Sequence, residues 1–158
     1  MNVFWLDYDL QTNVTYYCDK HVVKMILEYA QLLSTACRLT GVEQGYKASH
    51  INHPCALWAR DSLDNWECLR EMAYCLSDEF YYRYNNVHAS FYVIRDLDKP
   101  RIPSNGISVP PQCMPIQYKT DDVVTAYRNY YIGDKVRIAR WTKRKVPSWF
   151  NFEGKLYK

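Results

Sequence analysis

Apolar residues recur at helical spacing over most of the chain, and no stretch alternates as a β-strand does. The period predicts a first main helix at Asp19–Leu39 and a second at Pro54–Tyr84, whose length indicates a break inside it. A short helix is expected at His88–Leu97 and a third main helix at Val123–Trp141. The pattern therefore predicts an all-α protein built on three main helices.

The segments outside these helices differ in composition. The first dozen residues show no helical period and predict an extended N-terminal arm. Five prolines between Lys99 and Pro115 predict a connection without regular structure, and the C-terminal tail Pro147–Lys158 is rich in aromatic residues. Because the chain shows no internal repeat and a domain typically has about 100–150 residues, we expect residues 1–158 to form a single domain.

The overall composition excludes several classes of protein. With 48% hydrophobic and 23% charged residues, the chain is not disordered, collagen-like or of low complexity. No apolar run reaches the roughly 18 residues of a membrane span, and the first residues lack the pattern of a signal peptide. The six cysteines contain no CxxC pair. We therefore expect a cytoplasmic protein with reduced cysteines and no membrane partner.

Charge is distributed unevenly along the chain. Residues 1–100 carry 9 Lys or Arg against 13 Asp or Glu, whereas residues 101–158 carry 11 against 4. This asymmetry favours a polyanionic partner, although a solvated helix face is the alternative. Bases followed by aromatic rings are typical of surfaces that pair with phosphates and stack on bases, but the tail could equally pack on the core. The candidate residues are Arg137, Arg140, Lys143, Arg144, Trp149, Phe150 and Lys155.

One side of the first helix combines several reactive side chains. His21, Lys24, Glu28 and Gln31 follow helical spacing and share one face over about 15 Å. An imidazole, an amine, a carboxylate and an amide in one line can bind and protonate a substrate. An ordinary solvated stripe on an amphipathic helix has the same spacing.

A second group of reactive residues precedes the second helix. His50 and His53 form an HxxH pair with Cys55 close by, which is compatible with a metal site. No second cluster at a familiar zinc spacing accompanies them, so capping of the helix is the favoured interpretation and no metal is expected. The chain also lacks a glycine-rich phosphate loop, a GxSxG elbow and an HExxH motif, which disfavours kinases, α/β-hydrolases and zincins.

The tail sequence PSWFNFEGKLY resembles the aromatic C-terminal signature of phage endonuclease V, the pyrimidine-dimer DNA glycosylase and AP lyase. Asp19-Lys20-His21 is similar to the family's acid-polar-histidine triplet, and Glu28 falls at the spacing of its catalytic glutamate. His53–Arg83 resembles the family's long second helix, and Pro111-Gln112 the loop before its third. Related bacterial proteins share the turn Asn52-His53-Pro54. The resemblance thus covers the chain in order.

The resemblance implies a DNA N-glycosylase that acts on damaged or modified pyrimidines in double-stranded DNA. In that family the N-terminal α-amine attacks C1′ of the nucleotide, and an AP-lyase step can follow. Here Asn2 follows Met1, so we expect Met1 to be retained. Either Met1 supplies the amine, with Glu28 as the catalytic carboxylate, or the lyase step is missing. An α-amine has a pKa of about 7.7–8.0 and is partly neutral at pH 7. The residues implied to line the DNA are Lys20, His21, Lys24, Gln31 and His53.

The same resemblance implies no cofactor, a monomer and, if the gene belongs to a phage, a location in the host cytoplasm. Leu27 and Gln31 stand where the family has arginines that hold phosphates, which indicates weaker binding of the DNA phosphates than in that family. Two alternatives therefore stay open. One is a glycosidic-bond enzyme for hypermodified bases or free nucleotides. The other is a non-catalytic nucleic-acid-binding module, which would need the basic third helix and the tail but not Glu28.

Overall fold

The computed structural model describes residues 1–157, and Lys158, the last residue of the predicted tail, lies outside them. Within residues 1–157 the chain forms six α-helices and no β-strand, which confirms the all-α prediction. Short 3₁₀ turns occur at Ile116–Tyr118 and Val136–Ile138. The helices are Leu10–Thr15 (α1), Asp19–Leu39 (α2), Pro54–Asp61 (α3), Leu63–Tyr84 (α4), Ala89–Asp96 (α5) and Val123–Asp134 (α6).

Helix α2 has the predicted bounds and packs against α3, α4 and α5. It buries Val22, Ile26 and Leu33 completely in a hydrophobic core shared with the other helices. Much of the aromatic content lies in this core rather than at the surface. The buried hydroxyls of Tyr17 and Tyr29, for example, are 2.5 Å apart and hydrogen-bond each other. Buried tyrosines of this kind satisfy their polar ends internally.

The predicted break in the second helix lies at Ser62. This residue is extended (φ −144°, ψ 145°) and separates α3 from α4. Its hydroxyl accepts a hydrogen bond from the Asp64 N–H at 3.2 Å and so caps α4. The side chain of His53 caps α3 in the same way by accepting the Cys55 N–H at 3.1 Å, which confirms the capping interpretation of that histidine.

The N-terminal arm differs from the prediction because it contains a helix. Helix α1 starts after Asp9, whose carboxylate accepts the Thr12 N–H at 2.8 Å. At six residues it is too short to show a helical period in the sequence. The residues before it have no regular secondary structure, and Val3 and Leu6 are fully buried in the core.

The third main helix ends earlier than predicted. Helix α6 stops at Asp134, well before Trp141, and has no basic residue in its last turn. Trp141 instead turns its indole toward the end of α1, where Nε1 donates to the Tyr16 carbonyl at 2.9 Å. Arg137 therefore lies in the short 3₁₀ turn Val136–Ile138 and Arg140 in irregular structure, so neither lies on a face of α6. Among residues 1–157, no helix is both long enough and apolar enough to cross a membrane.

Candidate active site

The N-terminal arm is held in the core by buried polar groups. The Asn13 side chain accepts the Leu6 N–H at 2.7 Å and donates to the Phe4 carbonyl at 3.1 Å. The hydroxyl of Tyr17 also donates to the Phe4 carbonyl, at 2.7 Å, and that of Tyr29 accepts the Phe4 N–H at 3.3 Å. These bonds on both sides of one residue fix the path of the arm and, with it, the position of the chain terminus.

The arm places the Met1 α-amine 3.8 Å from Oε2 of Glu28. The other carboxylate oxygen of Glu28 pairs with Nζ of Lys24 at 2.9 Å. The side chains of Met1 and Glu28 are 4% and 12% exposed, whereas that of Lys24 is 65% exposed. The carboxylate thus lies between the α-amine of a half-buried residue and a surface amine. The two residues predicted to be catalytic are neighbours in the fold.

His53 belongs to the same neighbourhood. Partial burial lowers its pKa, and the positive charges of the Met1 amine and of His50 lower it further, while Glu28 acts in the opposite direction. A neutral imidazole at pH 7 can stay beside the amine without repelling it. His53 also lines an open cleft of about 590 Å³ that includes Gln112, Cys113 and Lys119.

The proline-rich connection also contributes to this site, which no pattern in the sequence indicated. Cys113 lies beside Cys55, and their sulfurs are 3.6 Å apart. The hydrogen bond from Cys55 lowers the pKa of Cys113, as do the positive charges of Lys119 and of the Met1 amine, while burial opposes them. The hydrogen bond and burial raise the pKa of Cys55. The sequence shows Cys113, but its partner Cys55 lies 58 positions away, so no local pattern links the two residues.

His21 occupies the core rather than the exposed face on which its spacing placed it. Its ring stacks on Phe4, with centroids 4.5 Å apart, and Nδ1 is 2.5 Å from the Tyr131 hydroxyl. Burial lowers the pKa of His21 to about 3, and repulsion from Lys135 and Lys24 adds to the effect. The predicted contact of His21 with DNA is therefore blocked by the arm that covers it.

The other predicted residues of α2 are more accessible. Lys20 and Lys24 are exposed, and Gln31 is half-buried. Val23 and Leu27 are exposed between them, so the outer surface of the helix mixes bases with apolar side chains. This surface could contact a nucleic-acid backbone through its two lysines.

The basic C-terminal segment is exposed but partly committed to internal contacts. Arg137, Arg140 and Lys143 are exposed at the surface. Arg144 binds both carboxylate oxygens of Glu79, at 3.0 and 2.7 Å, and its guanidinium lies 4.1 Å from the ring centroid of Tyr82. Arg144 is therefore a poor candidate for holding phosphate.

The aromatic residues of the tail divide between core and surface. Trp149 and Phe150 are only 7% exposed, so they are not available as the stacking platforms that the sequence suggested. Trp149 packs edge-on against Tyr131. Phe152 is 61% exposed, and Lys155 nearby pairs with Glu153. The tail thus packs back on the core at its start and presents side chains to solvent beyond it.

Comparisons with protein-family models, with curated proteins and with solved structures found no match. The resemblance to endonuclease V therefore rests on the motifs in the sequence.

Proposed function

We propose that this chain is a DNA N-glycosylase that removes a damaged or modified pyrimidine through its N-terminal amine and can cut the strand at the abasic product. The observation that carries the proposal is the Met1 α-amine 3.8 Å from the Glu28 carboxylate, at the end of an arm held by buried hydrogen bonds. An α-amine beside a carboxylate is the pairing that amine-initiated glycosidic chemistry requires.

The proposed reaction uses the two groups in sequence. Glu28 takes a proton from the Met1 ammonium, and the freed amine attacks C1′ as the glycosidic bond breaks and the base leaves with the bonding electrons and a proton. The new secondary ammonium then passes a proton to O4′ as the C1′–O4′ bond breaks, and the opened sugar is joined to Met1 by an iminium at C1′. Removal of a C2′ proton expels the 3′ phosphate by β-elimination. Glu28, whose carboxylate is 3.8 Å from the amine, stabilises the cationic sugar and moves these protons.

The charge distribution supports a nucleic-acid substrate. Lys20 and Lys24 on α2 and Arg137, Arg140 and Lys143 in the C-terminal segment are exposed, so their charges can pair with phosphates. Lys24 lies between the catalytic carboxylate and the basic surface. Its Nζ pairs with Glu28, while the side chain as a whole is 65% exposed.

Borohydride trapping tests the proposal. Purified protein is incubated with duplex DNA containing an abasic site or a damaged pyrimidine, and sodium borohydride reduces any iminium to a stable covalent adduct. We expect an adduct with the native N-terminus and none with an acetylated N-terminus, because acetylation removes the nucleophilic lone pair. A chain extended at the C-terminus serves as the control and should trap normally. Full trapping by the acetylated protein would move the nucleophile to a lysine and contradict the proposal.

A glycosidic-bond enzyme for hypermodified bases or free nucleotides is the second candidate. Two observations favour it, namely that Arg144 is bound to Glu79 and that Trp149 and Phe150 are buried, which reduces the surface for phosphates and bases. The two candidates differ in substrate. Base release from modified nucleosides or nucleotides, with no release from duplex DNA, would select the second.

A further inference from the structure

Two cysteines and a histidine from separate parts of the chain meet beside the N-terminus. His53 caps α3, Cys55 lies in the first turn of that helix, and Cys113 comes from the proline-rich connection. One ring nitrogen of His53 and the two sulfurs all lie within 4.8 Å of one another. Cys55 is buried, while His53 and Cys113 are partly accessible.

We propose that His53, Cys55 and Cys113 bind one zinc ion. Zinc in proteins is tetrahedral with Zn–S bonds of about 2.3 Å, which places two ligand sulfurs about 3.8 Å apart. The Cys55 and Cys113 sulfurs are 3.6 Å apart, so they already have nearly the separation that such an ion imposes. A disulfide would need them at about 2.05 Å. Imidazole and thiolate are ligands that suit zinc better than calcium or magnesium.

The segment that carries Cys113 is held in place before any metal binds. The side-chain amide of Gln112 donates to the Thr120 carbonyl at 2.7 Å and accepts the Thr120 N–H at 3.3 Å. The Tyr127 hydroxyl donates to the Pro111 carbonyl at 2.7 Å. These contacts fix the residues that precede the cysteine, so little ordering is required when the ion binds.

Three protein ligands leave one position of a tetrahedral ion free. His53 and Cys113 line the open cleft, so this position is accessible to a water molecule or to an atom of a bound ligand. Binding releases the protons of both thiols, and the two thiolates then neutralise the charge of the ion. His53 gives up its hydrogen bond from the Cys55 N–H when it binds the ion, because a neutral imidazole has only one lone pair to offer. This neutralisation is needed because Lys119 and the Met1 amine both add positive charge at the site.

Metal binding can be measured without DNA, so its outcome is independent of the proposed glycosylase activity. The reduced protein is mixed with Zn²⁺ or Co²⁺, passed over a desalting column and analysed by native mass spectrometry and by the thiolate-to-cobalt absorption. Zinc affinity is determined by competition with a chelator. We expect one ion per chain and protection of the partly accessible Cys113 from alkylation when zinc is present.

Two variants remove a ligand, and each has a matched control. His53→Asn keeps a side chain that can cap α3, and His88→Asn changes the histidine that caps α5 by an equivalent bond to the Ser90 N–H. Cys113→Ser removes a sulfur, and Cys68→Ser changes a partly buried cysteine outside the cluster. Circular dichroism verifies folding of all four.

The two ligand variants should lose at least about tenfold in zinc affinity, since even partners of metal ligands matter by about 10–100-fold. The His88→Asn and Cys68→Ser controls should bind as the parent does. No ion retained by the parent, or equal affinity in Cys113→Ser and the parent, would overturn the proposal.

Discussion

At the scale of single residues, the polar side of α2 shows how a common spacing can lead to different environments. His21, Lys24 and Glu28 all lie on one face of the helix, but the N-terminal arm covers only part of that face. Phe4 stacks on His21 and removes it from solvent, the Met1 amine reaches Glu28, and Lys24 remains outside. The environment of each side chain is therefore set by the path of the arm across this face, which passes over His21 and Glu28 and leaves Lys24 to one side.

Replacement of Glu28 by Gln tests the proposed chemistry at one residue. Glu28→Gln keeps the size of the side chain but removes the base beside the Met1 amine. We expect the rate of base release to fall about 10²–10⁴-fold, the usual contribution of a positioned acid or base, with little change in DNA affinity. Single-turnover kinetics and a binding isotherm measure the two quantities. Glu43→Gln, which changes an exposed acid paired with Arg38, is the control. A normal rate in Glu28→Gln would rule out the assignment.

The buried His21 makes stability depend on pH. Its pKa is about 3 in the folded protein against 6.5 as the ordinary value, because burial disfavours the charged ring. Below about pH 6.5 the unfolded chain therefore binds a proton at His21 that the folded chain does not bind. The contribution of the neutral His21 to stability is complete above pH 6.5 and is lost as the pH falls toward 3.

His21→Gln should remove that dependence. Urea unfolding at pH 6.5 and pH 4.5 measures the free energy of unfolding of parent and variant. Between these values the parent should lose about 2 kcal/mol more than His21→Gln, since each pH unit corresponds to about 1.4 kcal/mol. His50→Gln, at an exposed histidine, should follow the parent. Identical pH dependence in the parent and His21→Gln would show that the ring titrates normally.

At the scale of elements, the end of α6 depends on a close contact with the 3₁₀ turn before it. Gly133 lies against the ring of Tyr118, and a Cβ at position 133 would come within 2.2 Å of a ring carbon. The Tyr118 hydroxyl donates to the Asp134 carboxylate at 2.8 Å, which holds the ring in this position. A small residue at this point lets the turn and the helix pack together.

Gly133→Ala should therefore destabilise the protein, although alanine is normally favoured over glycine in a helix by about 1 kcal/mol. We expect a loss of about 1–3 kcal/mol, typical of overpacking, in urea unfolding. The double variant Tyr118→Ala/Gly133→Ala provides the comparison. In the Tyr118→Ala background the Gly133→Ala change should cost nothing or stabilise. Equal losses in both backgrounds would mean that the ring is not the cause.

At the scale of the whole molecule, a buried ionic network joins the two ends of the chain. Arg83 of α4 is fully buried and binds Glu79 at 2.7 Å, Asp19 at 2.9 Å and the Thr15 carbonyl at 3.0 Å. Glu79 in turn accepts Arg144 from the C-terminal segment. The network thus connects α1, α2 and α4 to the segment that follows α6.

Arg83→Met should be strongly destabilising, because it leaves Glu79 buried with one partner removed. We expect a loss of about 3–5 kcal/mol in the free energy of unfolding, the usual effect of breaking a buried pair. Arg95→Met, at an exposed pair with Asp96, should stay within about 0.5 kcal/mol of the parent. Replacing Glu79 by Leu in the Arg83→Met background should recover part of the loss. A small effect of Arg83→Met would mean that Arg144 alone compensates the charge.

Local features were predictable from the sequence because they depend on neighbouring residues. The bounds of α2 and the break near Ser62 follow from helical period and from capping, both of which act within a few positions. The all-α class follows from the same periodicity. Helix α1 was missed because six residues do not complete two turns, and α6 was predicted too long because its end is set by later packing.

The sequence by itself determined the helices and the types of chemical group available, whereas the tertiary structure decided which groups meet. The burial of His21 and Trp149 and the meeting of Cys55 with Cys113 depend on segments that are far apart along the chain. Such contacts arise when apolar surfaces pack together to exclude water, and a local pattern does not specify which surfaces will meet. The candidate site depends on the local pattern and on the tertiary structure. The helical pattern predicts Glu28 on α2, and the packing of the arm in the core brings the Met1 amine next to it.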